Sequence, residues 1–297
     1  MDNAPTSTDR YAVVGYPVDH SRSPLIHGLF ARQTGERLSY GLLPARARHF
    51  ETAVKGFAAA GGRGLNVTLP HKEAAFELAH EVGPEARRAR AVNTLSLHST
   101  TRIRGDNTDG IGFVRDLTEN HHVRLQGKRV LVLGAGGAAR GILPPLLDAG
   151  LAELVLANRT VERANGLVKL FDAADRLVVC SFDALAGRAA FDIVINATSA
   201  GVRGESPPFP ASCLGADCLC YDLSYSVKQT PFVQWAEDHG AARAVQGWGM
   251  LIEQAAESFA IWRGIRPDTA PVLQQLAHRP PARHHAARAG EPPRRAD

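Results

Sequence analysis

Lys128-Arg129-Val130-Leu131-Val132-Leu133-Gly134-Ala135-Gly136-Gly137-Ala138-Ala139-Arg140 is the stretch on which the reading of the chain turns. Val130–Leu133 is a continuous apolar run, the pattern of a parallel strand buried on both faces. Gly134, Gly136 and Ala139 follow at the spacing of a dinucleotide-binding turn, and a helix-forming segment starts at once. In such a turn the first glycine makes the tight bend and the second lets the backbone approach a pyrophosphate. The third small residue lets the helix pack closely on the strand. The anion rests on the helix N-terminus, where free N–H groups and the helix dipole favour negative charge. In a chain with 28 glycines the spacing alone is a weak signal; the strand before it and the helix after it give it weight.

Downstream, strand-like runs at Glu153–Ala157, Leu177–Cys180, Ile193–Asn196 and Cys218–Leu223 alternate with helical segments. Those helices fit Ala138–Ala149, Val161–Phe171, a short piece after Ser181, and Pro231–His239. The alternation predicts an α/β fold with a parallel sheet covered by helices on both faces. In a Rossmann unit the second strand ends in an acid when the cofactor is NAD, to bind the ribose 2′-hydroxyl. Here that strand ends in Asn158-Arg159-Thr160, with Arg163 one helical step on. A hydroxyl and two guanidiniums, which can hold phosphate oxygens bidentately, suit a 2′-phosphate and point to NADP.

Upstream, the periodicity predicts strands at Tyr11–Gly15, Leu38–Leu43 and Leu65–Leu69, and helices at Leu25–Gln33, Ala47–Ala60, Glu73–Val82 and Pro84–Arg90. A hairpin-like pair, Ala91–Leu97 and Thr101–Gly105, leads to a helix near Ile111–Glu119. Two last helices, Met250–Gly264 and Asp268–Ala277, follow the nucleotide unit. Their return to the first domain would leave a cleft between the two. Polar residues recur where the first domain's loops should face that cleft: Ser21 and Ser23, Asn66 and Thr68, His71-Lys72, Asn93-Thr94 and Asp109. Singly, each has a structural reading. Ser21-Arg22-Ser23-Pro24 has the make-up of a helix N-cap, and a Lys72–Asp109 pair could be a plain surface ion pair.

Bulk properties narrow the field. The length of 297 residues accommodates two domains, and 44% hydrophobic with 22% charged residues is ordinary for a globular chain. No apolar run approaches the roughly 20 residues of a membrane span, and the polar N-terminus lacks a signal-peptide core, so a cytoplasmic address is expected. The charge of +4 does not imply nucleic acid. Arg279, Arg283, Arg288, Arg294 and Arg295, against Glu291 and Asp297, put +3 of it in a proline-rich tail that reads as disordered. Cys180, Cys213, Cys218 and Cys220 form no C-x-x-C, which argues against a structural zinc site; Cys218 and Cys220 read as core residues. No long exposed apolar stripe demands a partner, leaving monomer or homodimer.

As an ordered set, the motifs resemble the shikimate dehydrogenase family. Those that carry the likeness are Gly15-Tyr16-Pro17-Val18-Asp19-His20-Ser21-Arg22-Ser23-Pro24, Asn66-Val67-Thr68-Leu69-Pro70-His71-Lys72, Ala91-Val92-Asn93-Thr94 and Gly105-Asp106-Asn107-Thr108-Asp109-Gly110. It continues through Gly134–Ala138, Asn158-Arg159-Thr160, Asn196-Ala197-Thr198-Ser199 and Gly247–Ala255, so that it covers about residues 11–278. It leaves His71 where an aromatic is also common. The tail lies outside it.

The resemblance implies reversible NADPH-dependent reduction of 3-dehydroshikimate to shikimate, in the shikimate pathway of aromatic amino acid biosynthesis. It implies Lys72 as proton donor or acceptor with Asp109 as its partner. Ser21, Ser23, Thr68, Lys72, Asn93, Asp109, Tyr225 and Gln254 would then hold the substrate. Gly134, Ala135, Gly136, Gly137 and Ala138 would contact the pyrophosphate, and Asn158, Arg159, Thr160 and Arg163 the adenosine phosphate. Thr198, Leu223, Gly247 and Met250 would lie by the nicotinamide. The implied organisation is a substrate-binding domain over 1–109, a Rossmann-type NADP-binding domain over 110–246, returning helices over 247–278 and the basic tail over 279–297. Two other readings stay open: a broader quinate/shikimate dehydrogenase, and a non-catalytic ligand-sensing relative.

Overall fold

A computed structural model describes residues 8–198, 200, 205 and 208–277. The tail expected over 279–297 and Ser199 of the fourth strand's motif lie outside the described residues.

The first half builds one sheet. β1 (Asp9–Gly15) leads through a proline-containing loop to α1 (Ser23–Thr34), which has proline in its first turn and ends at Gly35 with φ 72°. Proline loses nothing where a helix has no N–H partner, and glycine takes the left-handed conformation without strain. Next come β2 (Leu38–Pro44), α2 (Phe50–Ala59) and β3 (Gly62–Val67). They are followed by α3 (Lys72–Leu78), β4 (Glu81–Val82), α4 (Pro84–Ala89), β5 (Thr94–Leu97) and β6 (Ile103–Asp106). The strand order is β2-β1-β3-β5-β6-β4. β1 runs parallel to β2 and β3, whereas β5 is antiparallel to both β3 and β6. The end of β3 and the start of β5 therefore share one sheet edge, with Asn66 opposite Thr94 and Thr94 opposite Asp106.

Two expectations need correcting here. The helix expected over Glu73–Val82 stops at Leu78, and Glu81–Val82 becomes an edge strand parallel to β6. Its backbone is captured by that sheet, since the His80 N–H donates to the Ile103 carbonyl and the Gly83 N–H to that of Gly105. The strand expected over Leu65–Leu69 stops at Val67. Two more backbone bonds to the β1 side follow, from the Thr68 N–H to the Val14 carbonyl and from the Tyr16 N–H to the Leu69 carbonyl, before Pro70, which has no N–H, ends the run.

α5 (Asp109–Arg115) and one wider π turn, Asp116–Asn120, lead into the second sheet. It is formed by β7 (Arg129–Leu133), α6 (Gly137–Asp148), β8 (Glu153–Ala157), α7 (Val161–Leu170), β9 (Val178–Cys180) and β10 (Phe191–Asn196). β11 (Leu214–Asp222), α8 (Pro231–Asp238) and β12 (Arg243–Gln246) complete it. All its pairings are parallel, in the order β12-β11-β10-β7-β8-β9. β12 goes unread in the sequence because it is a short edge strand with only Ala244 and Val245 apolar. The α/β class expected from the alternation holds. Val130 and Val132 join one core and Leu131 and Leu133 the opposite one, as a strand covered on both faces requires. All four cysteines are free and buried in the core that holds Leu131 and Leu133.

α9 (Trp248–Arg263) and α10 (Ala270–Ala277) pack back on the first sheet. Ile252, Ala255, Ala256 and Phe259 of α9 and Val272 of α10 close a core with Ile26 and Phe30 of α1. Arg263 ties the end of α9 to Asp9, at 2.5 Å, and to Glu36. Among the described residues no helix is long and apolar enough to cross a membrane, and no cluster of three or more His, Cys, Asp or Glu could hold a metal.

Candidate active site

β7 is flanked by β8 and β10, so the connections leave it in opposite directions and a crevice opens beyond its end. Gly134 sits there with φ 99°, and a Cβ on it would lie 2.9 Å from Thr198 Cγ2 and 3.1 Å from the Ala197 carbonyl. Conformation and space both demand glycine. A Cβ on Gly136 or Gly137 would meet nothing, which leaves the backbone at the start of α6 open to the cleft. The cleft has a volume of about 940 Å³ and is lined from both sheets.

The nucleotide side collects the residues expected of it. Gly134–Ala138, Asn158, Arg159, Thr160, Arg163, Thr198, Leu223, Gly247 and Met250 all line the cleft. Arg159, Thr160 and Arg163 are exposed at its mouth, and neither arginine is in an ion pair among the described residues. Asn158, on the cleft as expected, also braces the backbone. Its side-chain oxygen accepts from the Ala135 N–H at 3.1 Å and its nitrogen donates to the Thr160 carbonyl at 2.7 Å, so it braces the glycine turn. Asn196 braces the far wall, accepting from the Thr198 N–H and hydroxyl while donating to Asp222. Burial pushes the Asp222 carboxyl up, against the Thr230, Ser224 and Asn196 hydrogen bonds. Ser181, Phe182 and Asp183 also line this half. They follow the tip of β9, next to β8, and that adjacency is the signal by which the sequence could have placed them.

Across the cleft, Lys72 and Asp109 are the first residues of α3 and α5. Lys72 Nζ donates to Asp109 Oδ2 at 2.6 Å, with the two side chains 17% and 6% exposed. Such enclosure separates this pair from a surface ion pair. The other carboxylate oxygen, Oδ1, accepts from Asn93 Nδ2 at 2.9 Å, while the Asp109 N–H donates to Asn107 Oδ1. Asn93 Oδ1 in turn accepts from the Thr108 N–H, and Gln254 Oε1 takes a bond from Asn93 Nδ2 at 3.2 Å. The structure thus brings together Lys72, Asn93, Asp109 and Gln254, with Thr68 and Tyr225 on the same cleft. Tyr225 stacks at a tilt on Trp248, 4.7 Å between ring centres. Burial raises its phenol pKa, opposed by the charge and backbone N–H of Arg22.

Ser21 and Ser23 are outside the cleft lining, which their loop reaches through His20. Their hydroxyls lie 3.2 Å apart and Ser21 Oγ accepts from the Ser23 N–H at 3.3 Å, while the N-cap residue of α1 is Arg22, which makes no side-chain cap bond. Asn66, expected to face the cleft but given no role from the sequence, does line it. Its oxygen accepts from the Tyr40 hydroxyl at 2.7 Å and lies 3.1 Å from His27 Nε2. Its nitrogen donates to Ser258 Oγ at 2.9 Å and faces the Asn93 carbonyl and Thr94 hydroxyl. Every valence of the amide is used, so Asn66 fixes the first sheet's wall of the cleft.

Comparison with known proteins agrees with this layout. Residues 13–95 match the family model described as the shikimate dehydrogenase substrate binding domain. Residues 116–202 match shikimate / quinate 5-dehydrogenase, and 247–277 the shikimate 5′-dehydrogenase C-terminal domain. The chain is 56% identical over 269 residues to the shikimate dehydrogenase (NADP(+)) of Alkalilimnicola ehrlichii, covering 91% of this chain and 98% of that one. It is 51% identical over 271 residues to that of Methylococcus capsulatus, covering 91% and 97%. A crystal structure of shikimate 5-dehydrogenase from Thermus thermophilus in complex with NADP(H) and shikimate matches with a TM-score of 0.80 at 34% identity, covering 91% of this chain and 99% of that one.

Proposed function

The chain belongs to the shikimate dehydrogenase family, and from that premise we propose that its cleft reversibly reduces 3-dehydroshikimate to shikimate, with NADPH as reductant and Lys72 and Asp109 handling the proton. The observation that carries the assignment of roles is the enclosed Lys72–Asp109 contact at 2.6 Å, on the same cleft as the glycine turn.

The residues fit the dinucleotide. Gly136 and Gly137 leave open space at the start of α6 where a pyrophosphate needs it, and Arg159 and Arg163, in no ion pair among the described residues, supply guanidiniums for a 2′-phosphate. When bound, the nicotinamide supplies the hydride that reaches the C3 carbonyl carbon. As that carbon is reduced, negative charge builds on its oxygen. The Lys72 ammonium stabilises the charge and donates the proton, and in the oxidative direction Lys72 takes up the proton of the C3 hydroxyl. General acid–base help of this kind is worth about 10²- to 10⁴-fold in rate. Asp109 Oδ2 holds the ammonium in place, while Asn93 fixes Oδ1 so that the carboxylate cannot swing. Thr68, Asn93, Gln254 and Tyr225, which line the cleft, hold the substrate's hydroxyls and carboxylate, since each unpaired buried polar group costs binding energy; Ser21 and Ser23 join them only if their loop, which reaches the cleft at His20, turns inward on the substrate. Met250, Leu223, Gly247 and Thr198 form the wall beside the nicotinamide.

Both halves of this site come from one chain, so monomer and homodimer are equally able to act. In this reading the enzyme works in the cytoplasm. The test is absorbance in the NADPH band with shikimate and with quinate, each offered with NADP and with NAD. Shikimate with NADP should give the fastest signal; silence with every pair would overturn the assignment in favour of a sensor. Lys72→Ala should remove most turnover and leave NADP affinity nearly intact, and near-normal turnover would defeat its role.

A further inference from the structure

Asp109 is held from the front by Lys72 and Asn93, and what stands behind it is Gly141, in the second turn of α6. A Cβ placed on Gly141 would lie 2.8 Å from Asp109 Cβ and 3.0 Å from Oδ2. The contact is reciprocal. A Cβ on Gly110 would lie 2.6 Å from the Gly141 carbonyl oxygen and 3.0 Å from Pro145 Cγ. The start of α5 and the second turn of α6 thus touch backbone to backbone. Neither glycine has a positive φ, so the requirement here is for space. Pro145 contributes as well: it lies inside α6 and has no N–H to offer the Gly141 carbonyl four residues earlier. That carbonyl is left out of the helix ladder, at the crossing.

The position of this crossing matters. Gly137 and Gly141 are four residues apart on one helix, about 6 Å along its axis. The N-terminus of α6 faces the pyrophosphate site, so one rigid element carries the cofactor anchor and the rear wall of the proton-handling carboxylate. An added methyl at 141 cannot be absorbed by a flexible side-chain tip, because the atom it meets is Asp109 Cβ. The carboxylate would be pushed forward, away from its bond to Asn93 and out of line with Lys72.

We propose that Gly141 is a positioning residue for the reaction, whose missing side chain lets α6 seat Asp109 against Lys72. The inference rests on the proposed roles of Lys72 and Asp109. Gly141→Ala should lower kcat by about 10- to 100-fold, the scale expected when a reacting group is displaced by roughly 1 Å. The KM for shikimate and the NADP⁺ dissociation constant, read by fluorescence titration, should stay within about threefold, since the turn at Gly136–Gly137 is untouched. In an Asp109→Gly background, which removes the side chain that the methyl meets, the same Gly141→Ala change should alter the residual rate less than about twofold. Wild-type kcat in Gly141→Ala would overturn the inference, as would equal losses in the two backgrounds, which would indicate general damage to the helix. If Gly141→Ala does not fold, the double variant should recover folding, and its failure too would overturn the inference. Asp109→Asn serves as the separate control: wild-type kcat there would defeat the reading of the Lys72–Asp109 pair itself.

Discussion

His27 gives the polar layer under the cleft a measurable signature. It is fully buried on α1, stacked on Tyr40 at 4.2 Å between ring centres and tilted 5.5 Å from Trp262. Asn66 spends its amide nitrogen on Ser258, Thr94 and the Asn93 carbonyl, so its oxygen faces the imidazole and His27 Nε2 is the donor. Nδ1 has no partner. A second proton would therefore create a buried N–H with nothing to accept it. Burial lowers the pKa of His27 from 6.5 to about 3, outweighing the Asn66 hydrogen bond. The sign follows from linkage. Above pH 6.5 the ring is neutral in both folded and unfolded chains; below it the unfolded chain takes a proton that the folded one refuses, so stability falls as pH drops toward 3. The limiting slope is about 1.4 kcal/mol per pH unit, and because the unfolded ring is already half protonated at pH 6.5 the loss from there to pH 4.5 is roughly 2 kcal/mol, a large part of an ordinary stability of about 5–15 kcal/mol. Urea unfolding of the wild type and His27→Gln at pH 7.0, 5.5 and 4.5 isolates the effect, because every carboxylate titrates in both. The advantage of the wild type over the variant should shrink by roughly 2 kcal/mol across that range. Parallel pH profiles would refute a buried neutral His27.

Two further outcomes follow from the site and its frame. Arg159→Ala should weaken NADP⁺ by about 10- to 100-fold, the worth of hydrogen bonds to a charged phosphate, while NAD⁺ binding and the KM for shikimate stay level; titration with both nucleotides checks it. Arg263→Ala frees Asp9 and Glu36 at the junction of α9 with the first sheet and should cost about 1–3 kcal/mol in urea unfolding. The Arg263 hydrogen bond lowers the Asp9 pKa, so this difference should be complete at neutral pH and fade as acid protonates Asp9 below about pH 4.

The second sheet was the more legible half of the fold because its strands announce themselves. Val130–Leu133 and Leu154–Ala157 are buried on both faces, so their composition carries the signal without help from a neighbour. Edge strands lack it. Glu81–Val82 and Arg243–Gln246 are mostly polar or exposed and become strands because an adjacent backbone offers hydrogen bonds, which periodicity cannot register. The same limit applied at the site. Ser21-Arg22-Ser23-Pro24 has the make-up of an N-cap, yet the N-cap residue is Arg22, and it is Ser21 Oγ that accepts from the Ser23 N–H; Asn158, expected beside the phosphate, also spends its amide on the glycine turn. Residue type shows what a side chain can bond, but nearby backbone groups decide what it does bond.

Lys72 shows the same limit most sharply. A cation on the first residue of a helix faces the positive end of the helix dipole, so helix stability alone would not select it. Asp109, on the first residue of another helix, is placed as the dipole prefers, and it supplies the charge that Lys72 lacks locally. The two are 37 positions apart, and nothing in either segment alone says that they meet. The backbone between them does the joining. The Val92 N–H donates to the Lys72 carbonyl at 2.9 Å, and the Asn93 N–H donates to the Asp106 carbonyl at 3.1 Å. One short segment, Ala91–Asn93, thus stitches the start of α3 to the strand end that leads into α5, and its own Asn93 side chain then grips the carboxylate. The antiparallel β5–β6 insertion, the part of the first sheet least like the rest, is what turns two helix starts into the enclosed Lys72–Asp109 pair to which the proposed function gives the proton.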